Sequence, residues 1–125
     1  MGLKEIRLYG TCSSGGGLTV NATVPVFGRL ESVLWIDGTF DDGIDAVIST
    51  QNHEAAATLM TLTNADDDVR YYPREQVHSN LGAALTIDDT EPLVDLPLMA
   101  GLPRLVVTSG GDEKTGGCVL FYYED

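Results

Sequence analysis

Apolar residues at every second position, in short runs broken by glycine and aspartate, constrain this chain more than any other feature. Ile6, Leu8, Gly10 and Cys12 alternate within Lys4–Cys12. Leu18, Val20, Ala22 and Val24 do so next, followed by Ile44, Ala46 and Ile48. Successive side chains of a strand point to opposite faces, so this spacing marks half-buried strands and not helices. The breaks have a physical cause. The triple glycine Gly15-Gly16-Gly17 leaves the backbone free to turn, and Asn64 to Asp68 suit turns because Asn and Asp tolerate left-handed backbone and bond their own main chain.

Further strands are expected at 30–36, where Leu30 to Ile36 reads as a central strand, and at Thr58–Thr63. Gly28-Arg29 reads as punctuation, Pro25 as a strand end, and His53 to Ala57 as a short helical turn. Val69 to Pro73 is extended, as the residue before proline must be. Residues 102–109 and 117–124 are two β-prone runs separated by Gly110 to Gly116, which predicts a C-terminal β-hairpin. Many short strands at regular spacing indicate an all-β fold, a β-sandwich or barrel (jelly-roll-like). At 125 residues, 1–125 is expected to form a single β domain.

Residues 74–100 break the pattern. Acidic Asp88, Asp89, Glu91 and Asp95 and the prolines Pro92 and Pro97 make an irregular excursion. Yet Leu93, Val94, Leu96, Leu98 and Met99 are too apolar for a solvated loop. Two readings stand: a strap over an open end of the core, or an interface to a partner.

The formal charge of −12 repels phosphates and anionic membranes, and the seven basic residues are scattered, so neither nucleic acid nor membrane is an expected partner. No apolar run is long enough for a membrane span, and the opening residues lack the apolar core of a signal peptide. Cys12 and Cys118 fall in the first and last expected strands. A disulfide between them is geometrically conceivable, and two free thiols are the favoured reading.

Chemistry is sparse. His53 and His78 have no Cys or His at ligand spacing, and Asp41/Asp42/Asp45 and Asp66/Asp67/Asp68 lack the alternation of an EF-hand loop. No Gly-x-Ser-x-Gly elbow and no phosphate loop occurs. The expectation is therefore a non-enzyme with no catalytic residues, no metal and no cofactor. Trp35, Tyr71, Tyr72, Tyr122 and Tyr123 are candidates for a sugar-stacking platform, but adjacent strand residues face opposite ways, so core or interface packing is favoured.

Four segments together, Trp35 to Val47, Leu62 to Asp68, Tyr71-Tyr72-Pro73-Arg74 and Val107 to Gly116, resemble small β-rich structural proteins of the virion head or neck of tailed bacteriophages. The resemblance implies a virion component assembled in the host bacterial cytoplasm. Its first reading is a capsid decoration (cement) protein that binds the outer shell as a homo-oligomer, a trimer being favoured. The partners would be the major capsid protein or other virion proteins. A neck or head–tail joining component is the alternative, and a carbohydrate-binding module the alternative of another class. The candidate interface comprises Tyr71, Tyr72, Arg74, Leu93, Val94, Leu96, Leu98 and Met99.

Overall fold

The computed structural model describes residues 2–52, 55–87 and 91–124. It is all-β, with no helix among them. The strands are β1 (Leu3–Thr11), β2 (Leu18–Asn21), β3 (Val26–Ile36), β4 (Asp45–Asn52), β5 (Ala55–Leu62), β6 (Val69–Tyr71), β7 (Glu75–Gln76), β8 (Thr86–Ile87), β9 (Glu91–Pro92), β10 (Val94–Asp95), β11 (Leu98–Thr108) and β12 (Thr115–Glu124). All pairings are antiparallel, and the main path β1-β12-β3-β11-β4-β5 does not close into a barrel.

The path folds into two layers because β11 belongs to both. Its first residues, Leu98–Gly101, pair with Val26–Arg29 of β3. From Leu102 onward it pairs with β4 on one side, and from Arg104 with β2 on the other. The transfer occurs at Gly101, whose φ of 125° is a conformation that residues with a Cβ rarely adopt. Strands that change sheets at a bend make the corners of a sandwich. One layer is thus β1-β12-β3 with β6 on the outer edge of β3, and the other is β2-β11-β4-β5.

Register explains which side chains meet in the core. Cys118, Leu120 and Tyr122 share one face of β12, opposite Trp35, Val33 and Leu30 of β3. Leu30 and Val33 are three apart, a spacing that normally puts residues on opposite faces. A β-bulge at Glu31 supplies the extra residue and returns both to the core. In the other layer Leu105 and Val107 lie between Val20 and Leu18 of β2 and Ile48 and Ala46 of β4. Trp35 is fully buried, stacks on Phe40 with 5.9 Å between ring centroids, and donates its indole N–H to the Ala65 carbonyl at 3.0 Å. Ser32, on the outer face of β3, is buried under Arg70, which donates to its hydroxyl and lies over the Phe121 ring.

Several expectations change. The C-terminal hairpin does not form: β11 and β12 stand in different layers, and β12 pairs with β1 and β3. Residues 109–114 form an arch across the sandwich, which two strands in facing layers need and two paired strands do not. Gly28-Arg29 lies inside β3, where the glycine fits because a Cβ there would run into the Tyr123 carbonyl. Ala55–Ala57 extend β5 instead of forming a helical turn, since Ala55, Ala56 and Ala57 pair with β4; His53 and Glu54 lie outside the described residues. Val24 does not share the burial of Leu18, Val20 and Ala22, because β2 ends at Asn21.

Candidate interaction site

The two ends of the sandwich differ in chemistry. At one end, β3 finishes, β4 begins, β11 finishes and β12 begins. Four connections, 12–17, 37–44, 63–68 and 109–114, meet there through backbone bonds. Cys12 donates to Lys114 O at 2.8 Å, Gly110 to Gly16 O at 2.9 Å and Asp41 to Gly110 O at 3.0 Å. The carboxylates act as staples: Asp66 accepts from Gly43 N at 2.7 Å, Asp68 from Asp37 N at 2.8 Å and Asp45 from Asn64 N at 3.2 Å. Among the described residues no three His, Cys, Asp or Glu side chains converge as an ion would require.

Asp37 is the strained member. Its Oδ1 is buried without a partner. Burial, and then the nearby carboxylates led by Asp66 and Asp68, push its pKa above the usual 3.8. The folded chain therefore holds this proton more tightly than the unfolded chain does. The group's contribution to stability is complete below pH 3.8 and is lost as pH rises through the raised value. Asp37→Asn should accordingly raise Tm at pH 7 by about 3 °C, the equivalent of roughly 1 kcal/mol, and should give no gain near pH 3. Thermal melts of both proteins across that range check it.

The opposite end carries residues 72–87 and 91–97. Its strands β7 with β10 and β8 with β9 pair only with one another. Val77 donates to Leu93 O, Leu93 to Leu85 O, and Leu85 to Val77 O, at 2.7, 3.0 and 2.8 Å. This closed triangle of backbone bonds gives the segment its own framework, a compact arm. The turn at its tip is held by the Ser79 hydroxyl, which accepts from Leu81 N and Ala83 N. The arm joins the sandwich at its base. Arg29 bonds Glu75 at 3.2 Å and Leu96 O at 3.0 Å, Arg74 bonds Glu31 O at 3.0 Å, and Leu30 donates to Pro97 O at 2.9 Å. A cleft of about 360 Å³ at that base is lined by Arg29, Glu75, Gln76, Val77, His78 and Asp95. Arg29 Nη1 serves both Glu75 and Leu96 O, which ties the cleft's guanidinium to the base of the arm.

The arm leaves apolar side chains in solvent. Leu81 at its tip is 91% exposed, Tyr72 58% and Val94 47%, with Leu85 and Leu93 also exposed, and Leu98, where β11 begins beside the arm, is 47% exposed. Of the expected interface residues, Tyr72, Arg74, Leu93, Val94 and Leu98 are exposed, and the Arg74 guanidinium lies 6.0 Å from the Tyr72 ring. Leu96 is half-buried, and Tyr71 packs against the core. Met99 is fully buried and drops out of the interface, because it faces inward from β11 opposite Gly28. The sequence reading missed Leu81 and Leu85. The available signal was a leucine set between Asn80 and Gly82, where a turn has no core to bury it. The segment divides between the two readings: Leu98–Ala100 pair with β3 and Met99 packs into the core, whereas Leu81, Leu85, Leu93 and Val94 are exposed and β7 to β10 pair with no strand of the sandwich.

The aromatic residues do not form a platform. Trp35 and Tyr122 are buried and Tyr71 is half-buried in the core, which leaves Tyr72 and Tyr123 exposed. The two cysteines are buried and free. Cys118 pairs across from Leu8, four residues from Cys12, a span of roughly 13 Å along a strand and too far for a disulfide. Burial pushes the Cys118 thiol up to about 12, so it carries no thiolate at neutral pH. No helix among the described residues is long and apolar enough to cross a membrane. No protein-family model matches the chain, and no curated protein matches it.

Proposed function

We propose that the protein is a structural component of a tailed-phage virion, a decoration subunit that seats its apolar arm on the outer capsid shell. The observation that carries this reading is the arm: a hydrogen-bonded projection at one end of the sandwich, with Tyr72, Leu81, Leu93 and Val94 exposed on it and Leu98 exposed beside it at the start of β11. A segment that exposes this many large apolar side chains is the kind of surface that marks an interaction site. The carboxylate-rich loops sit at the other end, about 30 Å away along β3, and would face outward. The sequence resemblance supplies the virion context.

Attachment through apolar burial should survive moderate salt. Screening weakens the repulsion between copies of charge −12 while burial is little changed. Leu81→Asp and Leu98→Asp should each reduce attachment at least tenfold, since a carboxylate pressed into an apolar contact without a partner costs several kcal/mol. Particles lacking the protein are incubated with purified wild type or variant in rising salt, sedimented, and weighed for bound protein. Release of wild type at modest salt, with both variants binding normally, would refute the arm as the contact. Location by electron microscopy separates this reading from its alternative: decoration covers the shell, and a neck component forms one ring at the tail vertex.

A further inference from the structure

Two carboxylates oppose each other at the base of the arm. β7 and β10 pair antiparallel, with Asp95 directly across from Glu75. Residues opposed in this way share a face of the ladder, and like charges there repel. Both line the cleft of about 360 Å³, together with Arg29 and His78. Arg29 answers one of the two: its Nη1 lies 3.2 Å from Glu75 Oε1. Asp95 Oδ1 accepts from the next backbone N–H, Leu96 N, at 2.7 Å. Among the described residues no Lys, Arg or His lies within ion-pair distance of Asp95.

Apolar side chains border this charged spot on the side of the sandwich. Leu98 of β11 and Tyr123 of β12 both stand across from Arg29, in one row over the outer face, and Leu3 of β1 lies beyond Tyr123. Phe27 follows Arg29 on the same face of β3. All four are exposed. Protein interfaces concentrate their binding in a few side chains that fill pockets, arginine among the commonest, with surrounding contacts that exclude water. A charged cleft beside an exposed apolar row has that anatomy.

We infer that the cleft receives a lysine or arginine side chain from the protein surface on which the arm seats; for that partner the inference rests on the proposed function. Charge selects the occupant. Two carboxylates against one guanidinium leave the cleft negative, on a chain whose net charge of −12 draws basic surfaces toward it. A cation between Asp95 and Glu75 turns their repulsion across the ladder into charge-assisted hydrogen bonds. An anionic group would meet both carboxylates instead. Among the described residues no third carboxylate or imidazole converges with them as a metal ion would require. The volume suits one long side chain, and the apolar row beside it suits a protein surface to carry that side chain.

The first test needs no virion. N-acetyl-lysine methylamide is titrated into the isotope-labelled chain and followed by amide NMR, with the norleucine analogue, which lacks only the ammonium, as control. Shifts should centre on Glu75, Gln76, His78 and Asp95 and saturate at roughly millimolar probe, and the analogue should cause none there. Asp95→Asn keeps an acceptor for Leu96 N and leaves the Arg29–Glu75 pair in place, so it should fold normally and weaken the probe about threefold. The second test uses particles lacking the protein. Asp95→Lys supplies the cleft with a cation of the chain's own and should reduce attachment about tenfold, with Tm within about 2 °C of wild type. A probe that shifts nothing at the cleft, equal shifts from both analogues, or a probe indifferent to Asp95→Asn would overturn the inference. Wild type and Asp95→Lys attaching equally would overturn it and leave the arm as the contact. A wild type that does not attach at all would overturn the proposed function, and the lysine probe would still decide the cleft.

Discussion

Trp35→Ala is expected to destabilise the fold by about 4 kcal/mol and to lower Tm by roughly 15 °C. Three losses combine. The indole is fully buried, so its removal opens a cavity between the two layers. Phe40 loses its stacking partner, and with it the anchor of connection 37–44. The Ala65 carbonyl loses its donor, which releases connection 63–68. Trp35→Phe keeps most of the volume and removes only the N–H donor, so it should cost about 1–2 kcal/mol. Denaturant melts followed by far-ultraviolet circular dichroism measure both. Equal costs for the two variants would show that the hydrogen bond, not the packing, holds the loop end together.

Gly38→Ala should cost about 3 kcal/mol. Gly38 sits at φ 57°, where a Cβ crowds the chain's own carbonyl at about 1–2 kcal/mol. The added methyl would also overlap the Thr115 carbonyl oxygen. That oxygen accepts from Thr39 N at 2.8 Å, so the backbone cannot retreat without breaking the bond that ties β12 to the arch after β3. Gly15→Ala is the control. No atom lies within 4 Å of a Cβ there, and the change should stay within about 0.5 kcal/mol. A Gly38→Ala protein as stable as wild type would mean that the arch adjusts freely.

The faces of the strands were legible in the sequence and their neighbours were not. Alternation at Ile6/Leu8, Leu18/Val20 and Ile44/Ala46/Ile48 reports which side chains turn inward, and these do line the core. Alternation says nothing of which strand lies alongside. Gly110 to Gly116 reads as a hairpin turn because a turn between paired strands and an arch between facing layers use the same residues. Only Gly101, whose conformation moves β11 from one layer to the other, decides the matter, and a lone glycine in an apolar run carries no label. The bulge at Glu31 is equally silent, since it shows only as a three-residue spacing between Leu30 and Val33. The apolar character of 93–99 was legible, but its division was not. Leu98 faces solvent and Met99 the core because β11 has already begun there, a boundary set by pairing with β3 and not by the residues themselves.

The sharing of β11 between layers has a consequence for synthesis. A ribosome delivers β1 through β10 before it delivers β11 and β12. Until then β1 and β3 have no strand between them, and β2 has nothing to pair with, because β12 and β11 fill those places. Of the sandwich pairings, only β3 with β6 and β4 with β5 can form early. At about 5–20 residues per second, the nascent chain spends several seconds with its apolar faces unmatched. Assembly is therefore a late, concerted event, in which two strands inserted one after the other complete both layers at once.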